Sequence, residues 1–312
     1  MATDYDVIIL GGGAAGLSAA IYTTRAMLKT LVLEKLGAGG QVLTTGLIEN
    51  YPGFPEGVQG PDLSRYLEQQ ATKFGAELQY EEVTKLVPGR SSHTVETTDG
   101  KYTAKAVIIA TGGSHRKLGV PGEEELAGKG VSYCAVCDGN FFRGQEVVVV
   151  GGGDAAMDEG LYLTGIVKRV SVVHRRDQLR ASPILQKRAF DTANMKFVWS
   201  HVVERILGNG EVKAVQLRDL KSGKSYEYPA AGVFIYVGFV PNSELFKGVV
   251  PLDDNGHVIS NIRMETEAPG VFVCGDVRQH SDRQLACAAG DGVTAALSAY
   301  RYITEGHARS VG

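Results

Sequence analysis

The residues best suited to chemistry in this chain are two cysteines, Cys134 and Cys137, which are followed directly by Asp138. A Cys-x-x-Cys pair serves as half of a zinc site, as a structural pair or as a redox centre. Zinc needs four ligands, and the remaining cysteines, Cys274 and Cys287, are separated by 12 residues far along the chain. No His or Cys pair at zinc-ligand spacing supplies the other half, so we expect a redox dithiol and no metal.

Asp138 has two interpretations. A carboxyl group beside a dithiol can donate or accept the proton that moves when a disulfide is reduced. Asp138 also precedes Gly139, and Asp-Gly is a common turn sequence. From position alone the two interpretations are equally good.

Two glycine-rich motifs flank the dithiol: Gly11-x-Gly13-x-x-Gly16 before it and Gly151-x-Gly153-x-x-Ala156 after it. Each follows a short apolar run and opens a helix-forming stretch, which predicts a strand, a tight turn, a helix and a second strand. In such a unit the helix N-terminus and the glycine backbone bind a pyrophosphate. The predicted elements are Asp6–Leu10, Ala14–Leu28 and Thr30–Glu34 in the first unit, and Glu146–Val150, Ala155–Leu163 and Val170–Val173 in the second.

The residues after the second strand of each unit differ in charge. Glu34 stands 18 residues after the first motif, close to the spacing expected for an acid that binds a ribose. Counting 19 residues from the second motif reaches Arg175, followed by Arg176, with Arg180 nearby. Guanidinium groups bind a 2′-phosphate bidentately, whereas arginines on a surface turn would only be solvated. The first site is therefore predicted to take a nucleotide with a free ribose hydroxyl and the second to prefer NADPH.

The order of elements predicts an α/β fold with two Rossmann-like dinucleotide-binding domains, the second inserted into the first. Gly and Pro clusters that mark turns follow the predicted strand Ala106–Ile109 and recur over residues 238–242. The apolar run Val233–Val240 is expected to be a buried strand. We predict an FAD-binding domain of residues 1–117 and 244–312, which ends in a helix over Leu285–Ile303, and an NADPH-binding domain of residues 118–243 that carries the dithiol.

Composition excludes several classes of protein. The 312 residues carry a net charge of −3 and are 44% apolar, which gives no sign of a nucleic-acid partner. No uninterrupted apolar run approaches the roughly 20 residues of a membrane span. The polar start of the chain lacks a secretory signal, and four cysteines in a chain this long are no disulfide framework. We expect a cytoplasmic protein with no membrane partner.

These residues together resemble the low-molecular-weight thioredoxin reductases of the pyridine nucleotide–disulfide oxidoreductases, over essentially the whole chain. Besides the dithiol and the two glycine motifs, the resemblance depends on Gly39-Gly40-Gln41, Glu49–Gly53, Ala110-Thr111-Gly112, His174-Arg175-Arg176, Gly275-Asp276 and Arg283–Ala286. It implies an enzyme in which electrons pass from NADPH to FAD, then to the Cys134–Cys137 disulfide and on to the disulfide of thioredoxin. It also implies a homodimer and two domains that rotate against each other.

The resemblance assigns roles to single residues. Cys137 would face the flavin, Cys134 would attack the partner's disulfide, and Asp138 would be the acid–base group. The expected FAD-binding residues are Gly11, Gly13, Ala14, Ala15, Gly16, Glu34, Gly40, Gln41, Asn50, Thr111, Gly112, Asp276, Arg283, Gln284, Leu285 and Ala286. The expected NADPH-binding residues are Gly151, Gly153, Asp154, Ala155, Ala156, His174, Arg175, Arg176 and Arg180.

The chain departs from the family at Val136, where a threonine is usual, and at Gly160, where an alanine is usual. The loss of the threonine hydroxyl is expected to change the redox potential slightly, and the glycine to weaken its helix by about 1 kcal/mol. Alternatives to thioredoxin as the partner are another small redox protein, or a variant that receives electrons from ferredoxin. His174-Arg175-Arg176 argues against the ferredoxin variant. A non-enzymatic nucleotide-binding module is opposed by the dithiol and the second nucleotide site.

Overall fold

The computed structural model describes residues 3–305 as an α/β protein. Its strands are β1 Tyr5–Leu10, β2 Thr30–Leu33, β3 Leu47–Ile48, β4 Val58–Gln59, β5 Glu77–Gln79, β6 Val83–Val87, β7 His93–Thr97, β8 Lys101–Ile109, β9 Gly113–His115, β10 Val131–Ser132, β11 Glu146–Gly151, β12 Arg169–His174, β13 Met195–Trp199, β14 His201–Gly208, β15 Val212–Asp219, β16 Ser225–Pro229, β17 Gly232–Tyr236, β18 Phe239–Pro241 and β19 Val271–Val273. Its α-helices are α1 Ala14–Arg25, α2 Gly60–Lys73, α3 Ala135–Asp138, α4 Asp154–Thr164, α5 Pro183–Asp191 and α6 Leu285–Glu305.

The described chain divides into two compact units. The first contains the residues up to Ser114 and those from Val240 on, and the second is His115–Phe239. The division falls three residues before the first predicted joint and four before the second. The outer limits predicted for the FAD-binding domain, residues 1 and 312, lie outside the described residues.

The first unit is built on a seven-stranded sheet. Its strand order is β5-β2-β1-β8-β7-β6, with β19 also paired to β8. The strands β5, β2, β1, β8 and β19 run parallel, and β6 and β7 are antiparallel additions. Helices α1 and α6 pack closely, since a Cβ atom on Gly292 would lie 2.1 Å from the carbonyl oxygen of Ala15. The parallel strands place their carboxyl ends at one edge, where the first glycine motif begins.

The second unit combines a parallel sheet with a small antiparallel one. The parallel sheet has the order β10-β17-β11-β12-β13, and the antiparallel sheet the order β14-β15-β16. One apolar core contains residues of α4 and α5, and another contains residues of the antiparallel sheet, as expected for a parallel sheet covered on both faces. The second glycine motif follows β11, and the dithiol lies on and beside the short helix α3.

Several predicted element limits are corrected, and the strand expected over Ala106–Ile109 begins five residues earlier, at Lys101. The helix expected over Ala14–Leu28 ends at Arg25, because Met27 has a left-handed backbone with φ of 62°. The strand expected over Val233–Val240 is broken in two around Gly238, whose φ is 142°. The last helix extends two residues beyond its predicted end, Ile303. Among residues 3–305, none of the helices is both long and apolar enough to span a bilayer.

Candidate active site

The first unit contains a cavity of about 460 Å³ at the carboxyl ends of its parallel strands. Fourteen of the sixteen residues predicted to bind FAD line it, namely Gly11, Gly13, Ala14, Ala15, Glu34, Gly40, Gln41, Asn50, Thr111, Gly112, Asp276, Arg283, Gln284 and Leu285. The two exceptions, Gly16 and Ala286, are both on helices, in α1 and α6. Residues up to 274 positions apart in the sequence are thus brought to one concave surface.

The three glycines of the first motif have different surroundings. Gly11 has φ of 109°, and a Cβ there would lie 2.4 Å from the carbonyl oxygen of Ala110. A Cβ on Gly16 would lie 1.9 Å from the carbonyl oxygen of Gly11, so this glycine allows helix and strand to pack closely. No atom lies within 4 Å of a Cβ built on Gly13, which borders the cavity. The open space at Gly13, next to the start of α1, fits a pyrophosphate.

Glu34 lies directly beside this glycine turn. Its Oε2 accepts a hydrogen bond from the Gly12 amide at 2.8 Å, and its Oε1 accepts one from the Leu36 amide at 3.1 Å. These two amides fix the carboxylate at the wall of the cavity. The group has lone pairs left to accept hydrogen bonds from a ribose.

Other polar side chains that line the cavity are also held by hydrogen bonds. Gln41 donates from Nε2 to the carbonyl oxygen of Gly113 at 2.7 Å, and Asn50 donates from Nδ2 to Oε1 of Gln284 at 3.2 Å. Burial raises the pKa of Asp276, although a hydrogen bond from Ser281 opposes that shift. Amides and a carboxyl at fixed positions suit the polar edge and ribityl chain of a flavin, so the cavity fits that group.

Sequence reasoning missed Asn242 as a residue of this cavity. Its Nδ2 donates to the carbonyl oxygen of Thr111 at 3.0 Å, and its carbonyl oxygen accepts from the Thr111 hydroxyl at 2.7 Å. Its Oδ1 also accepts from the Ser114 hydroxyl at 2.8 Å. Thr111 and Asn242 are 131 positions apart, so only the fold brings them together.

The second glycine motif has the same construction in the second unit. Gly151 ends β11 with φ of 150°, and a Cβ there would lie 2.4 Å from the carbonyl oxygen of Tyr236. A Cβ on Gly153, the N-cap of α4, would have no atom within 4 Å. Asp154, Ala155 and Ala156 form the first turn of α4. This turn also leaves open space where a pyrophosphate would lie against a helix N-terminus.

The strand registers correct the counting that matched Arg175 with Glu34. Leu10 pairs with Leu33 in the first unit and Val150 pairs with Val173 in the second, so the residue equivalent to Glu34 is His174. Glu34 then follows Gly16, and His174 follows Ala156, by the same 18 positions. A Cβ on Gly152 would lie 2.4 Å from Cε1 of His174, and a Cβ on Gly12 would lie 3.2 Å from Glu34. The His174 ring therefore lies against Gly152 as Glu34 lies against Gly12.

His174 is buried, and its surroundings favour the neutral ring. Burial, followed by the positive charges of Arg180, Arg176 and Arg175, lowers its pKa. Its Nε2 has no hydrogen-bond partner among residues 3–305. The unit with arginines therefore has a neutral ring where the first unit has a carboxylate.

Arg175, Arg176 and Arg180 are exposed on the loop that follows β12. Two hydrogen bonds tie this loop to the glycine motif: the Arg180 amide donates to the carbonyl oxygen of Gly152 at 2.7 Å, and the Ser182 amide donates to Oδ1 of Asp154 at 2.6 Å. The guanidinium groups are thus carried by a segment fixed beside the open glycine turn. Their placement fits the 2′-phosphate of a nucleotide.

Cys134 and Cys137 form a disulfide with their Cα atoms 5.4 Å apart. Cys137 is exposed and Cys134 is partly buried. The Cys137 amide donates to the sulfur of Cys134 at 3.1 Å, and the pair lies on the turn that starts α3. Among residues 3–305 no group of three or more His, Cys, Asp and Glu side chains is arranged to hold a metal ion.

Asp138 is fixed to this turn by Ser132, a residue that sequence reasoning did not single out. The Ser132 hydroxyl donates to Oδ2 of Asp138 at 2.7 Å and accepts from the Cys134 amide at 3.0 Å. The Asp138 amide also donates to the carbonyl oxygen of Cys134 at 3.2 Å. One serine hydroxyl therefore links the backbone of the first cysteine to the carboxyl group that follows the second.

Comparison with known proteins identifies the family of this chain. Residues 5–292 match the model of the pyridine nucleotide-disulphide oxidoreductase family. The thioredoxin reductase of Bacillus subtilis is 49% identical over 302 residues, which cover 96% of this chain and 95% of that protein. A family match of this kind implies a flavin and a nicotinamide nucleotide as cofactors.

Two solved structures share the fold over nearly the whole chain. The thioredoxin reductase of Lactococcus lactis is 44% identical with a TM-score of 0.95, covering 97% of this chain and 100% of that one. The thioredoxin reductase of T. acidophilum is 36% identical with a TM-score of 0.92, covering 96% and 98%. The chain therefore belongs to the pyridine nucleotide-disulphide oxidoreductases and, within them, to the thioredoxin reductases, enzymes that act on a sulfur group.

Proposed function

We propose that this chain uses NADPH and FAD to reduce the disulfide of thioredoxin through Cys134 and Cys137. The observation that carries the proposal is the second unit itself, which combines a formed disulfide, a carboxyl group held beside it and a glycine motif flanked by arginines. A dithiol next to a nucleotide site has no use in a protein that only binds the nucleotide. The combination favours an electron-transfer enzyme.

FAD is proposed for the cavity of the first unit. The open turn at Gly13 would bind the pyrophosphate, Glu34 the adenosine ribose, and Asp276 the ribityl–phosphate region. Gln41 and Asn50 would contact the isoalloxazine. The concave cavity and its fixed amide groups support this assignment.

NADPH is proposed for the second glycine motif. Gly153 would give the pyrophosphate access to the backbone, and Arg175, Arg176 and Arg180 would bind the 2′-phosphate. His174 supports the choice indirectly. It occupies the position equivalent to Glu34 of the first unit, and its neutral ring does not repel a phosphate as a carboxylate there would.

When bound, FAD would supply the two electrons, taken from the nicotinamide, that with one proton cleave the Cys134–Cys137 disulfide to a thiol and a thiolate. Asp138, held by the Ser132 hydroxyl, would donate a proton to the sulfur that is released and take it back on re-oxidation. The Cys134 thiolate would attack the partner's disulfide to form a mixed disulfide and expel one partner thiolate. Cys137 would then attack Cys134, which restores the internal disulfide and releases the partner as a dithiol.

The test is anaerobic reduction of the purified yellow protein with NADPH, followed by turnover with oxidised thioredoxin. The proposal expects flavin bleaching by NADPH and catalytic reduction of thioredoxin. Cys134→Ser is expected to keep the first step and lose the second, because a serine hydroxyl cannot replace a thiolate at neutral pH. Near-normal thioredoxin reduction by Cys134→Ser would disprove the role of the dithiol.

The partner and the assembly are tested in the same preparation. A panel of other small disulfide proteins, and reduced ferredoxin in place of NADPH, separates thioredoxin from the alternative partners. Turnover with ferredoxin alone would contradict the NADPH assignment. We also propose a homodimer, and its mass in solution, measured by light scattering, checks this directly.

A further inference from the structure

Glu159, in the middle of α4, contacts the dithiol turn. Its Oε2 accepts a hydrogen bond from the Ala135 amide at 2.8 Å and another from the Tyr236 hydroxyl at 3.2 Å. Ala135 is fully buried and directly follows Cys134. The carboxyl group therefore satisfies a buried amide one residue away from the sulfur proposed to attack the partner.

Glu159 and Tyr236 also lie on elements of the nucleotide-binding part of the unit. Helix α4 starts at the second glycine motif, with Gly153 as its N-cap. Tyr236 pairs in register with Gly151, the first glycine of the same motif. The start of the dithiol turn is thus held by a helix and a strand that both begin or end at the glycine turn.

Burial and hydrogen bonding act on the pKa of Glu159 in opposite directions, and burial is the larger effect. Burial raises its pKa, but hydrogen bonds from the amides of Ala135 and Val136 and from Tyr236 oppose that shift. The Ala135 amide and the Tyr236 hydroxyl both donate to Oε2, an arrangement that a carboxylate oxygen accepts. The other titratable groups around Glu159 and the dithiol turn are Asp138 on α3, Asp158 on α4, Tyr236 on β17, His115 and Tyr133. The His115 ring lies close to the rings of both Tyr133 and Tyr236.

We propose that Glu159 is a positioning residue for disulfide reduction, whose negative charge, held beside the Cys134–Cys137 turn by the Ala135 amide, limits the ionisation of the dithiol. The proposal rests on the proposed function only in taking this dithiol as the reacting group. Its tests use neither NADPH nor thioredoxin, so the proposal about Glu159 can be decided even if either of those two assignments is wrong.

Glu159→Gln separates charge from shape, since it keeps the size of the side chain and an acceptor oxygen for Ala135. A negative charge near a thiol disfavours the thiolate, so its removal is expected to let Cys134 ionise at lower pH. A more stable thiolate also stabilises the reduced form, which moves the equilibrium with glutathione toward the dithiol. Both shifts are expected to be on the order of three- to tenfold.

The experiment uses the full-length holoprotein, reduced and then desalted. The rate of iodoacetamide labelling of Cys134 is followed against pH by mass spectrometry of peptides, which keeps it distinct from Cys274 and Cys287. The Cys134–Cys137 equilibrium is measured in glutathione buffers. Glu159→Asp keeps the charge on a shorter side chain, and Asp191→Asn removes one exposed charge from α5 as a matched control.

The proposal expects Glu159→Gln to shift both measurements, while Glu159→Asp and Asp191→Asn stay close to the original protein. A shift in Glu159→Gln alone supports a local charge effect, because a loss of packing would also affect the shorter Glu159→Asp. A folded Glu159→Gln protein with unchanged labelling and equilibrium would overturn the proposal. An equal shift in Asp191→Asn would overturn it as well, because the effect would then be one of net charge.

Discussion

Gly153→Ala tests the nucleotide site of the second unit with a single methyl group. Gly153 has φ of −100°, which an alanine adopts without strain, and a Cβ there meets no atom within 4 Å. The substitution removes unfolded-state freedom, worth about 0.4–1 kcal/mol, and replaces a preferred N-cap residue by a poor one, which opposes it. The fold is therefore expected to change in stability by no more than about 1 kcal/mol.

Binding of NADPH is expected to respond far more strongly. The methyl group would project into the space where the pyrophosphate has to approach the backbone at the start of α4. Overfilling a close-packed site costs typically about 1–3 kcal/mol, which corresponds to roughly 5–150-fold in affinity. We expect the Kd and KM for NADPH to rise within that range, with little change in flavin content.

The assay is stopped-flow reduction of the flavin at increasing NADPH concentration, together with urea unfolding of the same samples. Gly165→Ala is the matched control, because this glycine at the other end of α4 also has an ordinary φ of −76° and room for a Cβ, with its nearest neighbour at 3.6 Å. If Gly153→Ala binds NADPH as the control does, the pyrophosphate does not lie at this turn and the reasoning from open space is refuted.

Three further predictions concern the same unit. Asp138→Asn is expected to slow electron exchange between flavin and dithiol by about 10²–10⁴-fold with little effect on folding, and an unchanged exchange rate in rapid kinetics would make Asp138 a turn residue only. Replacing both Arg175 and Arg176 by alanine is expected to lower the preference for NADPH over NADH by roughly 10–150-fold, since losing one charged hydrogen bond costs about 1.5–3 kcal/mol; an unchanged ratio of the two kcat/KM values would contradict this. Gly160→Ala is expected to raise the free energy of unfolding by about 0.5–1 kcal/mol, because alanine favours a helix more than glycine does. The new Cβ would lie 3.2 Å from the flexible end of Met195, so lower stability in urea would show that Met195 cannot move aside.

The elements around both glycine motifs were predictable because their signals are local. An apolar run, a glycine turn and a helix-forming stretch follow one another within about 30 residues, and the predicted β1, β2, β11 and β12 all appear in the structure. The helix limit at Arg25 was missed because Met27, a residue with no turn preference, adopts a left-handed backbone there. Such a conformation depends on the packing around it and leaves no sequence signal.

The missed site residues depend on contacts between distant parts of the chain. Asn242 joins its cavity through Thr111, 131 positions away, and Glu159 reaches Ala135 across 24 positions. Ser132 is close in sequence to Asp138, but its role follows from the direction of one hydroxyl group. Asn50 and Gln284, 234 positions apart, were predicted only through the resemblance to a family, because no spacing rule connects them.

The comparison of the two glycine units changes the physical basis of the proposed coenzyme choice. When Arg175 is aligned with Glu34, an acid is exchanged for a base at one position, and the arginines alone explain the preference. The strand registers separate the two effects, because His174 takes the place of Glu34 and the arginines lie beyond it. Removing the acid abolishes a repulsion, and adding the guanidinium groups supplies an attraction. Selectivity between two similar ligands commonly combines both, since the difference in affinity depends on the disfavoured contact as much as on the favoured one.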